Sequence, residues 1–125
     1  MLDHVSIGVR DIAKTKQFYD AALQPLGYAC LSEGPEYLGY GKKSVVFWIS
    51  LSKRPVPADV ESGLHFCFIA EKRADVDAFH TAALKNGGRD NGAPGIRPDY
   101  TQPYYAAFAH DPDGYRVEAF CGKAE

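Results

Sequence analysis

The chain matches itself. Displaced by 61 residues, His4 falls on His65, Phe18 on Phe79, Ala21 on Ala82, Ala22 on Ala83, Leu23 on Leu84 and Gly27 on Gly88. The segments FYDAALQPLG and FHTAALKNGG are the visible centre of the match. Self-similarity at a fixed spacing means one supersecondary unit used twice. A chain of 125 residues holds two such units and little else.

The pattern inside each copy is the same. A short alternating segment, HVSIGV or HFCFIA, reads as a strand. Asp11 is an N-cap candidate, and the helix after it runs to Gly27 with Ile12, Phe18, Tyr19, Ala22 and Leu26 on one face. The second helix runs through Val76, Phe79 and Ala83 and stops at Gly87-Gly88. Strand-like runs follow each helix. They are YACLSE, EYLGY and SVVFWISL in the first copy, and a weak run at 88–91, YYAAFAH and YRVEAFC in the second. Each copy is thus β-α-β-β-β. The expected fold is α+β: two repeated modules, 1–52 and 64–125, joined by the proline-bearing linker 53–63 in a single domain. They form a curved sheet around a cavity, with helices on the outer face. DPDG at 111–114 reads as a tight turn between the last two strands.

Strand alternation assigns the faces. Val5, Ile7 and Val9 take the helix side, which leaves His4, Ser6 and Gly8 to the cavity. In the second copy Leu64, Phe66 and Phe68 take the helix side, and His65 and Cys67 the cavity. In YRVEAFC, Arg116, Glu118 and Phe120 fall on the cavity side. A carboxylate on a half-buried strand is costly unless exposed, paired or bound to a cation. Two histidines and a carboxylate on one concave face have the composition of a divalent-metal site with open positions. The alternative is a set of polar pocket groups with no ion.

The paired modules, the histidine on each first strand and DPDGYRVEAF near the end resemble the vicinal oxygen chelate superfamily, which includes glyoxalase I, extradiol dioxygenases and the bleomycin- and fosfomycin-resistance proteins. The resemblance spans essentially the whole chain. It implies metal ligands at His4, His65 and Glu118, with Glu118 also catalytic. The implied chemistry is a divalent ion (Fe2+, Mn2+, Ni2+ or Zn2+) chelating neighbouring substrate oxygens and stabilising an enolate-like intermediate, with a lyase, isomerase or dioxygenase outcome. Glyoxalase I-like members carry a fourth ligand, a Glu, on the last strand of the first module; the matching site here is Phe47 or Trp48, and neither binds a metal. The rival expectation is a metal-free small-molecule binder of the bleomycin-resistance type. A homodimer is implied by the same resemblance.

Other residues are pocket candidates. Phe47 and Trp48 are either an aromatic pocket wall or core. Cys67 shares the face of His65 and reads as small filler rather than a nucleophile. Arg116 flanks Glu118. Arg97 and Tyr100 lie in RDNGAPGIRPDYTQP (89–103), read as a long connection able to hold an anionic or aromatic substrate. Tyr104 and Tyr105 point to opposite faces, so one of them reaches the cavity. His80 reads as exposed or half-packed. A net charge of −2 leaves no basic footprint for nucleic acid. No apolar run is long enough for a membrane span, and no signal peptide is evident. Three cysteines without CxxC spacing favour a reducing, cytoplasmic setting.

Overall fold

The structure, a computed structural model, describes residues 1–100 and 103–124. The first module contains β1 (Val5–Val9), α1 (Ile12–Leu23), β2 (Ala29–Gly34), β3 (Tyr37–Gly41) and β4 (Val45–Leu51). The second contains β5 (His65–Ile69), α2 (Arg73–Lys85), β6 (Arg89–Ile96), β7 (Tyr105–His110) and β8 (Arg116–Cys121). The strand orders are β1-β4-β3-β2 and β5-β8-β7-β6. The two modules therefore share one topology. In each, the first strand pairs parallel with the last and the other neighbours are antiparallel. The parallel pair is joined through a helix, as such a connection requires.

Local chemistry starts and stops α1 as the sequence reads. Asp11 is extended at φ −143°, and its side chain accepts from the Lys14 backbone N–H at 3.0 Å. A short 3-10 turn (Gln24–Leu26) follows. α2 has no such side-chain cap; Asp75 in its first turn and Lys85 in its last suit the helix dipole instead.

The expected curved sheet is built as two four-stranded halves, one from each module. They meet through their apolar faces. Phe47 of β4, only 1% exposed, packs its ring 5.6 Å from both Phe66 and Phe68 of β5. Tyr19 of α1 lies edge-on to Phe47 at 5.2 Å, and Tyr28 reaches Phe68 at 5.9 Å. One core thus draws on both modules. Side chains alternate along a strand, so each sheet also has a face turned away from that core.

Two sequence expectations change. Strand β6 covers residues 89–96, so the weak strand-like run at 88–91 extends well into the stretch 89–103 that was also read as a long connection. Its Gly and Pro content is absorbed by register shifts between Asp90 and Gly92 and between Gly92 and Gly95, with Pro94 inside the second. His80 is buried at 8% exposure, its Nε2 2.9 Å from Asp90 Oδ1, because α2 lies over β6.

The DPDG turn ties the modules together. Gly114 takes φ +94°. Asp111, 2% exposed, accepts from Tyr19 Oη at 2.7 Å and from the backbone N–H groups of Asp113 and Tyr115 at 3.0 and 2.9 Å. Tyr115 Oη donates to the Gly8 carbonyl at 2.6 Å. Asp113 accepts from the Arg10 backbone N–H and guanidinium at 3.1 and 3.2 Å. Burial pushes the Asp111 carboxyl up to about 6, against the hydrogen bonds from Tyr19 and Tyr115 that favour its ionised form. The folded state then holds a proton that the unfolded state has released, so Asp111 adds stability below its unfolded range and loses it as pH rises through about 6. Calorimetry from pH 7 down to pH 4 should show the stability difference between wild type and Asp111→Asn moving in the wild type's favour, by at most about 3 kcal/mol.

Candidate functional site

The open face of the second sheet gathers the polar residues. β5 and β8 run parallel with His65 opposite Arg116 and Cys67 opposite Glu118, so the three side chains His65, Cys67 and Glu118 leave the same face. His65 Nε2 lies 2.7 Å from Glu118 Oε1. The other carboxylate oxygen, Oε2, accepts from Tyr104 Oη at 2.6 Å. Glu118 is 4% exposed, so these two bonds compensate the removal of its carboxylate from water. Tyr104 is itself held, its ring 4.1 Å from Phe120 and edge-on to Tyr100 at 4.6 Å. Its neighbour Tyr105 points the other way and donates to Asp77 at 2.6 Å.

A cavity of about 620 Å3 opens over this pair. β6 supplies Asn91 and Gly92, the following loop supplies Arg97 and Tyr100, and Phe108, Arg116, His65 and Glu118 complete the wall. The loop read from sequence as a binding segment thus reaches the same cavity as the strand residues. Asn91 and Gly92 were not singled out from the sequence; they lie where the weak run at 88–91 passes into the stretch rich in Gly and Pro. Phe108 is legible only through alternation, which puts it on the face of Tyr104. Cys67 is beside the site, and burial, followed by the Glu118 charge, pushes its thiol up to about 12. A thiol that stays protonated at neutral pH is a poor nucleophile, in line with its reading as filler.

Two residues stand elsewhere. Phe47 lies in the core, not in a pocket wall, because β4 turns it toward β5. Trp48 takes the open face of the first sheet, paired with Ser6 as Glu118 is paired with Cys67. It is therefore the first-module counterpart of Glu118, and its ring lies 6.3 Å from Tyr37. His4 is also on that sheet's side, exposed, with Nδ1 2.7 Å from Asp3 Oδ2. Among the described residues no three His, Cys, Asp or Glu side chains of one chain converge on an ion position.

The donor chemistry of His65 and Glu118 nevertheless fits two ligands of a divalent ion. His65 Nε2 and Glu118 Oε1 are separated by 2.7 Å; ligands about 2.1 Å from an ion lie ~3 Å from each other in octahedral geometry, so a small opening of this pair would admit one. His4 has the carboxylate partner on one ring nitrogen that metal-binding histidines use, and its Nε2 is left for a ligand role.

Residues 1–119 match the model of the Glyoxalase/Bleomycin resistance protein/Dioxygenase superfamily. The chain belongs to this superfamily. A glyoxalase/bleomycin resistance protein from Albidiferax ferrireducens is 33% identical, with 97% of this chain and 98% of that one aligned at a TM-score of 0.84. A putative glyoxalase from Bacillus halodurans is 24% identical over 97% of this chain and 95% of that one, with a TM-score of 0.73. The fosfomycin resistance protein FosX from Mesorhizobium loti shares the fold at 16% identity and a TM-score of 0.71, over 99% of this chain and 93% of that one. No curated protein matches. Superfamily membership fixes the scaffold and leaves the chemistry to the site.

Removing the Tyr104 hydroxyl tests how the buried carboxylate is held. Tyr104→Phe keeps the ring contact with Phe120 but strips Glu118 Oε2 of its donor. Urea denaturation should show a loss of about 1–3 kcal/mol.

Proposed function

We propose that this protein is a divalent-metal-dependent enzyme of the glyoxalase/dioxygenase type, working as a homodimer in which His4 of one copy faces the His65–Glu118 pair of the other. The observation that carries the reading is the contact between His65 Nε2 and Glu118 Oε1 at the floor of an open cavity. Among the described residues of one chain, His4 joins no cluster with His65 and Glu118, and a second copy is the simplest source of the missing nitrogen. Three cysteines without a disulfide suit a cytoplasmic setting.

His65, Glu118 and the second copy's His4 would hold the ion. When bound, a divalent ion supplies Lewis-acid polarisation of two neighbouring substrate oxygens, a step shared by lyase, isomerase and dioxygenase outcomes. The rest is done by the chain's own groups. Tyr104 fixes the Glu118 carboxylate by its hydrogen bond, so one oxygen stays turned toward His65. Without an ion, His65 Nε2 can donate to Glu118 Oε1; to hold one, Nε2 gives up that proton and both atoms turn their lone pairs to the ion. Tyr100 and Phe108 form the apolar side of the cavity and exclude water from a bound substrate.

The metal-free reading has one observation of its own. Both Glu118 oxygens already accept neutral hydrogen bonds, so the carboxylate is satisfied without a cation. Under that reading the protein sequesters a small molecule in the same cavity.

Melting curves with and without Mn2+, Ni2+, Zn2+ or Fe2+ separate the two. The metal reading expects a rise in Tm with at least one ion, lost in Glu118→Gln and in His4→Ala, because stabilisation follows RT ln(1 + [L]/Kd). Mixing the two variants and allowing subunits to exchange should restore binding at some sites, since one site of the mixed dimer has all three ligands intact. Indifference to every ion would leave the metal-free reading. Turnover assays across dicarbonyl–thiol adducts, catechols and epoxides then choose the reaction.

A further inference from the structure

The cavity over His65 and Glu118 contains two guanidinium groups, and neither has an acidic partner. Among the described residues, Arg97 and Arg116 have no carboxylate within ion-pair distance. Arg116 Nε is buried and finds no hydrogen-bond partner among those residues. A buried donor of a charged group left unpaired is costly, and a bound acceptor relieves that cost.

Arg97 is held in place for the same task. Its guanidinium carbon lies 5.2 Å from the centre of the Phe108 ring, and one amino group donates to the Ala93 carbonyl at 2.8 Å. The bulged β6 backbone makes room for it. A side chain at Gly92, which sits at φ +147°, would come within 3.3 Å of Arg97 Nη2, and one at Gly95 within 3.2 Å of Nη1. An arginine fixed by a ring, a carbonyl and two glycines loses little freedom when it binds, and its other donors stay available.

The strand register sets the distance to the reacting end. Arg116 pairs with His65 across the parallel ladder, and Phe108, beneath Arg97, pairs with Glu118 across β7 and β8. Paired residues on neighbouring strands lie about 5 Å apart. Both arginines line the same cavity as the His65–Glu118 pair. Glu118 forms an ion pair with neither guanidinium, its oxygens being bonded to His65 and Tyr104, and its single negative charge against two arginines leaves the cavity net positive.

We propose that this site selects small organic oxyanions: the substrate or ligand carries a carboxylate or phosphoryl group held by Arg97 and Arg116, a few bonds from the atoms that meet His65 and Glu118, with its apolar body against Phe108 and Tyr100. This rests on the small-molecule reading of the cavity given above, and it does not need the ion.

The test is calorimetric titration of the full chain with benzoate, phenylphosphonate and the neutral benzamide, first as purified and then in excess chelator. Saturable binding of benzoate or phenylphosphonate, with benzamide about tenfold weaker or worse, is expected under both conditions. Which of the two acids binds more tightly distinguishes a carboxylate from a phosphoryl ligand. Arg97→Gln should lose most of the preference for the acid while keeping the wild-type Tm. Arg116→Lys keeps the charge and should still weaken the acid, because an ammonium cannot reproduce the fork of donors. Benzamide binding as well as the acids, no binding by any probe, or unchanged preference in both variants would overturn the inference. So would a preference that vanishes with chelator, which would assign the charge to the ion. A preference that persists in chelator while no ion raises Tm would uphold this inference and sink the metal reading.

Discussion

Phe47 against Phe66 and Phe68 is the contact on which the rest of the molecule depends. Each sheet has one apolar face, and a chain this small can bury both only by turning them toward a common core. The two helices fill the remainder of that core, with Tyr19 at its centre. The arrangement has a direct functional result. The faces bearing His4 and the His65–Glu118 pair are left outside that core, and among the described residues the three do not form one cluster.

The two modules have diverged on those outward faces while keeping one topology. Where β8 presents Glu118, β4 presents Trp48. The second face therefore has the carboxylate, the tyrosine that holds it and two arginines; the first has an aromatic surface of Trp48 and Tyr37 with a lone exposed histidine. Topology is constrained by the shared core, which has no preference about outward residues.

Much of this was legible in the sequence. The repeat fixed the topology because buried positions must match when one unit is used twice, and alternation placed His65, Arg116 and Glu118 on one face because strand side chains alternate without exception at short range. Three features were not legible. The full extent of β6 showed only as a weak run at 88–91, because glycine and proline signal a loop, whereas pairing with β7 carries the strand to Ile96 through two register shifts. Phe47 and Trp48 are adjacent aromatics, and only the register decides which one is core. The orientation of Arg97 over Phe108 depends on the later part of that strand.

The closing turn also imposes an order on folding. Gly8 offers its carbonyl to Tyr115, 107 positions later, and Arg10 and Tyr19 wait for Asp113 and Asp111 across comparable spans. During synthesis the first module emerges with these groups unsealed, and nothing nearer in the chain replaces their partners. Contacts so distant carry a large loop-closure cost before they return any stability. Gly8, Arg10 and Tyr19 thus gain these partners only when the last hairpin is present, which ties the early histidine strand to the residues that flank Glu118.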